Sequence, residues 1–138
     1  MLSRMMLRTA LVCVGLMIVF TQATQAAEPG DKPSELYFPV TNLNVPILQN
    51  GKSKGTLLFN FLVELNDSKD RVLISRYTPK IKAGFFDELY KFAATLKEGE
   101  KVQLEKIKEM LTVVVKKIVG EKKIKGVLVK DFRRAYVK

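Results

Sequence analysis

Residues 57–65 read Leu57-Leu58-Phe59-Asn60-Phe61-Leu62-Val63-Glu64-Leu65. Every second side chain in this stretch is large and apolar, and the side chains between them are partly polar. Successive side chains of a β-strand point to opposite faces, so the alternation predicts a strand with one buried face. We expect helices to cover that face, which is formed by Leu57, Phe59, Phe61, Val63 and Leu65.

The segment before this strand predicts its hairpin partner. Asn50-Gly51 is typical of a tight hairpin turn, and residues 36–48 before it favour extended chain. Pro39 and Pro46 lie in that extended chain and have no backbone N–H to donate to a neighbouring strand. We therefore expect an edge strand, or a strand interrupted by bulges.

The segment after the strand predicts helices. The polar residues 66–68 can cap a first turn, because their short side chains accept unpaired backbone N–H groups. Apolar residues of this helix occur over 72–77, and from Ile81 to Leu96 apolar residues follow at spacings of three and four. Pro79 lies within this pattern and should end or kink the helix, so that a longer helix resumes after it.

The last third of the chain predicts one more helix and a closing strand. Residues 104–118 are apolar on one side and charged on the other, and Gly120 should stop that helix. Residues 123–137 alternate as a terminal strand. The phenylalanines fall at core positions of these patterns; they are Phe59, Phe61, Phe85, Phe86, Phe92 and Phe132.

The order strand, strand, helix, helix, strand predicts an α+β fold. We expect a small antiparallel or mixed sheet with two to three helices packed on one face, preceded by an N-terminal signal helix.

That signal is read from the first residues of the chain. Arg4 and Arg8 precede an apolar run over residues 10–20, and a stretch of small and polar residues follows, which is the order of a secretory signal. The run is shorter than the roughly 20 residues that span a bilayer. We predict a signal peptide over residues 1–26 or, as the alternative, a short signal anchor. A linker over 27–35 and a periplasmic domain over 36–138 follow in both interpretations.

Composition argues against an enzyme. The chain has no histidine, and its one cysteine, Cys13, lies within the signal, so Ser-His and Cys-His catalysis is excluded. No glycine-rich loop precedes a helix. The carboxylate pairs Asp87-Glu88 and Glu98-Glu100 are candidates for glycosidase chemistry, but they fit solvated surface charges better. We expect no catalysis, no cofactor, no metal and no small-molecule substrate.

The most pronounced charge feature is the basic C-terminal third. Removing Arg4 and Arg8 leaves 22 basic against 14 acidic residues, a net charge of +8. In an exported protein this favours anionic headgroups, cell-wall polymers or acidic proteins as partners, and not nucleic acid. The alternative is that these are solvated positions of a helix and a strand. The candidate basic interaction surface comprises Lys116, Lys117, Lys122, Lys123, Arg133 and Arg134.

Four segments resemble the FliL family of flagellar basal-body-associated proteins, and together they extend over nearly the whole predicted domain. They are residues 59–65, residues 76–82 around a proline, residues 111–120 ending in glycine, and residues 127–132 with an Asp-Phe ending. The resemblance implies a stomatin/prohibitin-like periplasmic domain without enzymatic activity. It implies that the partners are stator proteins of the flagellar motor and further copies of the chain in a homo-oligomeric ring.

The resemblance also implies a location. We expect the protein in the periplasm, free or tethered to the inner membrane near the flagellar basal body, with the membrane surface as a further partner. The alternative function is a soluble periplasmic cationic module that binds anionic lipid or cell-wall polymer.

Overall fold

The computed structural model describes residues 33–137. Within them, three strands and two α-helices follow one another in the predicted order: β1 (Tyr37–Gln49), β2 (Lys52–Leu65), α1 (Arg71–Thr95), α2 (Leu104–Val119) and β3 (Ile124–Tyr136). Short 3₁₀ turns occupy Pro33–Leu36, Ser68–Asp70 and Glu121–Lys123. The predicted signal, residues 1–26, and residues 27–32 of the predicted linker lie outside the described residues.

The three strands form an antiparallel sheet in the order β1-β2-β3. β1 is an edge strand, as its two prolines predict, and its pairing with β2 shifts register between Val40 and Leu43. Asn42 lies in that bulge at φ 61°, and its backbone N–H donates to Asn60 Oδ1 at 2.9 Å. This hydrogen bond between β1 and the central strand β2 therefore stabilises the bulge in β1.

The predicted hairpin turn is confirmed. Asn50 and Gly51 follow each other at φ 53° and 74°, and they connect the paired residues Gln49 and Lys52. Two successive positive φ values twist a two-residue turn to match the strands it joins. Asparagine and glycine adopt them at little cost, so the sequence determines the turn locally.

Both helices pack on one face of the sheet, which confirms the predicted α+β arrangement. The β2 side chains that face them are fully buried, from Leu57 to Leu65, whereas the intervening side chains are only half-buried. Phe61 contacts Phe85 of α1 edge-on, with ring centroids 5.6 Å apart, and Phe59 contacts Phe132 of β3 at 4.8 Å. The core is one apolar layer between sheet and helices.

Two expectations about α1 need correction. Of the two outcomes expected at Pro79, an end or a kink, the helix does not show the end: it runs through Pro79 as one element, Arg71–Thr95. Pro79 is exposed, so water can hydrate the carbonyl that loses its donor, and Ile74 and Ile81 hold the helix to the core on both sides. Phe86 is 36% exposed instead of buried, because it lies about 100° around the helix from the buried Phe85.

The second helix follows its prediction. α2 ends at Val119, and Gly120 follows at φ 125°, a backbone conformation that favours glycine. Neither of the helices described over residues 33–137 combines the length and apolar composition needed to cross a lipid bilayer.

Candidate functional site

The six residues of the predicted basic surface divide into two groups. Lys116 and Lys117 lie in the last turn of α2, and Lys122 and Lys123 lie in the 3₁₀ turn that follows. Arg133 and Arg134 are near the other end of β3. Ten residues of extended chain separate Lys123 from Arg133, a distance of about 30 Å. The two groups therefore belong to opposite ends of the domain.

Sheet topology brings further cations to the first group. Antiparallel pairing sets the start of β1 beside the end of β2, and the end of β2 beside the start of β3, through the pairs Tyr37↔Glu64 and Glu64↔Gly126. The turn leading into α1 lies at this same end. We call the result the proximal surface, since the described chain begins there: Phe38, Lys69, Arg71, Val72, Arg76, Lys116, Lys117, Lys122 and Lys123.

The turn carrying Lys122 and Lys123 is fixed by Asn66. The backbone N–H of Asn66 donates to the Lys123 carbonyl at 3.0 Å, and its side-chain Nδ2 donates to the Lys122 carbonyl at 2.7 Å. Lys123 Nζ pairs with Asp70 Oδ1 at 3.2 Å. These contacts connect the β3 side of the surface to the start of α1, because Asp70 directly precedes the helix.

Arg71 continues this chain of contacts to the start of the domain. Its Nη1 donates to the carbonyls of Tyr37 and Glu35, at 2.7 Å and 3.3 Å, and its guanidinium lies over the Phe38 ring, 5.3 Å from the centroid. Arg71 forms no ion pair with a described carboxylate. Its positive charge is therefore held in place by neutral groups and stays available to an anion.

An open depression of about 450 Å³ lies beside Arg71. Phe38 and Val72 provide apolar lining, and Ser75, Arg71 and Arg76 provide polar lining. Val72 is 70% exposed. A hydroxyl, two guanidinium groups and an exposed aliphatic side chain together suit a ligand with an anionic part next to an apolar part.

The second group of basic residues, Arg133 and Arg134, does not form one binding surface. Arg134 Nη1 and Nη2 donate to the carbonyls of Glu100 and Lys97, at 2.8 Å and 3.3 Å, so this side chain holds the loop between α1 and α2. Gln49 Nε2 donates to the Leu96 carbonyl beside it. Arg133, the neighbouring residue, points to the opposite face of the sheet and is exposed. Adjacent strand residues cannot share one binding face.

The carboxylate pairs do not converge in a shared cleft. Glu88 forms an ion pair with Lys91 of the next turn at 3.6 Å, while Asp87 beside it is exposed. Glu100 accepts the backbone N–H of Lys97 at 2.8 Å and so closes the loop after α1. Among residues 33–137 there is no group of three or more potential metal ligands.

An aromatic pair on α1 forms a second candidate surface. Phe86 and Tyr90 are one turn apart, stack at 6.0 Å between ring centroids, and are 36% and 39% exposed. The buried side of the helix, with Phe85 and Leu89, keeps the pair directed away from the core. Exposed aromatic side chains are enriched where proteins bind one another.

Sequence reasoning missed Lys69, Arg71 and Arg76 as members of the basic surface. They are isolated from the C-terminal basic residues along the chain and meet them only through strand pairing. The signal that could have identified them is the predicted hairpin, since it places the residues after β2 beside those before β1.

Comparisons with models of known protein families and with curated proteins give no match.

Proposed function

We propose that this chain is a non-enzymatic, FliL-like protein that supports the flagellar motor stator, and thereby motility, from the periplasmic side. In this role it binds stator proteins and further copies of itself, and it needs no cofactor. The periplasmic location rests on the secretory character of residues 1–26.

The placement of the four FliL-resembling segments in one domain supports the proposal. Residues 59–65 are in β2, 76–82 in α1, 111–120 at the end of α2, and 127–132 in β3. Phe59 of the first segment contacts Phe132 of the last, and the backbone N–H of Val127 donates to Thr112 Oγ1 at 3.1 Å. Three of the four segments thus contact one another within one folded unit, as the resemblance to a single domain expects.

The observation that carries a role in protein contacts is the aromatic pair, Phe86 and Tyr90. Two large rings held against each other on a rigid helix offer apolar area with little conformational entropy left to lose on binding. A partner that covers both rings would remove them from water. We assign this surface to contact with a protein of the motor.

Deletion of the gene tests the role itself. The expected result is reduced swimming with flagella still assembled, because the protein supports stator units and does not build the filament. Swimming speed in soft agar and electron microscopy of filaments are the measurements. Unchanged swimming would refute the flagellar role.

Complementation of the deletion strain tests the surface. A chain with F86S and Y90S should accumulate to normal levels but fail to restore swimming. The matched control is V113S, which removes another exposed apolar side chain, 52% exposed, on the outer side of α2. If both variants restore swimming equally, the aromatic pair is not the contact, although the role shown by deletion stands.

A further inference from the structure

The proximal surface presents unpaired positive charge. Lys69, Arg76, Lys117 and Lys122 are exposed, and none of them takes part in an ion pair within residues 33–137. Arg71 adds a fifth cation that is bound only by carbonyls and a ring.

The acidic residues at this end are largely engaged. Asp70 pairs with Lys123, and Glu64 pairs with Lys125 at 3.4 Å. Asp67 accepts the backbone N–H of Lys69 at 2.9 Å. Asp67, Glu35 and Glu121 have no ion pair among the described residues, so three carboxylates face the five free cations. The end of the domain therefore has an excess of positive charge that its own carboxylates do not neutralise.

The same surface has apolar character at its centre. Val72 is the most exposed of the large apolar side chains that the structure describes, at 70%, and Phe38 lies beside it in the same open depression. Cations around an exposed aliphatic group are typical of surfaces that lie in the headgroup region of a bilayer.

We propose that the proximal surface rests on the anionic headgroups of a lipid bilayer. Headgroup phosphates lie against Arg71 and Arg76, and Val72 enters the headgroup boundary. This inference is independent of any role at a flagellar motor, and it specifies which end of the domain faces the membrane.

The position of the chain start agrees with this orientation. The described chain begins at Pro33, at the same end as the proximal surface, and only twelve residues lie between it and the apolar run ending at Phe20. Fully extended, that connection reaches about 45 Å. Under the signal-anchor interpretation, this connection keeps the domain near the bilayer and permits the orientation, and the charge and apolar character of the proximal surface select it.

Position-specific quenching tests the orientation on the full chain. Cys13, the only cysteine, is replaced by alanine, and a fluorescent label is attached at S75C beside the depression or at S53C near the hairpin turn at the opposite end. Both serines are exposed. With headgroup-nitroxide lipid in vesicles of phosphatidylcholine and phosphatidylglycerol, the label at 75 should be quenched and the label at 53 should not. Quenching at 75 should fall with salt and in phosphatidylcholine alone.

Charge removal identifies the residues responsible. K69Q/R76Q/K122Q should lower the affinity of the protein for anionic vesicles about 100-fold, since each cation near an anionic surface raises that affinity about fivefold. K52Q/K54Q/K101Q removes the same number of exposed cations, likewise without an ion pair within residues 33–137, from the opposite end and should leave quenching at 75 unchanged. Circular dichroism and thermal unfolding of each variant establish that the fold is retained.

Three outcomes would overturn the proposal. Equal quenching at both labels means that the domain has no preferred orientation on the bilayer. Equal loss in the two triple variants means that total charge, not this surface, attracts the protein. Protection of position 75 in cell envelopes that does not depend on anionic lipid or salt assigns the surface to a protein.

Discussion

Thr112 of α2 and Val127 of β3 are joined by a hydrogen bond that fastens the second helix to the sheet. The Val127 backbone N–H donates to Thr112 Oγ1 at 3.1 Å, and the same hydroxyl donates to the Lys108 carbonyl at 2.7 Å. β3 lies at the edge of the sheet, where strands expose unpaired backbone groups. The threonine therefore satisfies a strand N–H that β2 does not.

Replacing this hydroxyl should destabilise the domain. T112V keeps the side-chain shape but leaves the Val127 N–H unpaired, so we expect a loss of about 1 to 2 kcal/mol in the free energy of unfolding. T112S retains the hydroxyl and should cost less. Chemical denaturation monitored by circular dichroism measures both, and equal losses would mean that the methyl packing, not the hydrogen bond, matters.

Asn66 should contribute more to the proximal end than the ion pair beside it. N66A removes the side-chain bond to the Lys122 carbonyl and should cost about 1 kcal/mol. K123Q breaks a half-exposed pair with Asp70, where solvent screens the attraction, so its cost should be smaller. Denaturation at low and high salt compares them. A larger loss for K123Q than for N66A would contradict this ranking.

Local patterns predicted most of the fold. The alternation of residues 57–65 and the Asn50-Gly51 turn each determine structure over a few residues, so no knowledge of the rest of the chain was needed. The helix end predicted at Pro79 is absent because core packing outweighs the local preference of proline. Ile74, Ile81 and Phe85 bury one continuous side of the helix.

The residues of the candidate surfaces could not be grouped from the sequence alone, because closeness along the chain does not match closeness in the fold. Arg133 and Arg134 are neighbours in sequence but lie on opposite faces of β3. Arg71 and Lys122 are 51 residues apart but share one end of the domain, through contacts at Asp70 and Asn66. The number of charged residues predicted a basic protein, but only the strand pairing determined which basic residues share one end of the domain.

Gly84 and Val114 should be coupled. A Cβ added at Gly84 would lie 2.9 Å from Val114 Cγ1, closer than these atoms can pack, because α1 and α2 approach each other there. G84A should therefore lower stability by about 1 to 2 kcal/mol, even though alanine favours a helix by about 1 kcal/mol.

A double-mutant cycle isolates this contact. In the V114A background the space is open, so G84A should become neutral or stabilising, which gives a coupling of about 1 to 3 kcal/mol. Thermal and urea unfolding of the four proteins provide the values. A G84A effect of the same sign and size in both backgrounds would show that the helices do not touch at this point.

Pro79 supplies the sharpest check on the continuous helix. Alanine at this position restores a backbone N–H for the carbonyl one turn earlier and removes the ring that crowds it, so P79A should stabilise the domain by about 1 to 3 kcal/mol. Part of the gain is offset because proline also restricts the unfolded chain, by about 1 kcal/mol. P39A, at an exposed proline of the edge strand, controls for that effect and should not stabilise. A P79A variant no more stable than the original chain would contradict this prediction, because it would show that Pro79 imposes no net cost on the helix.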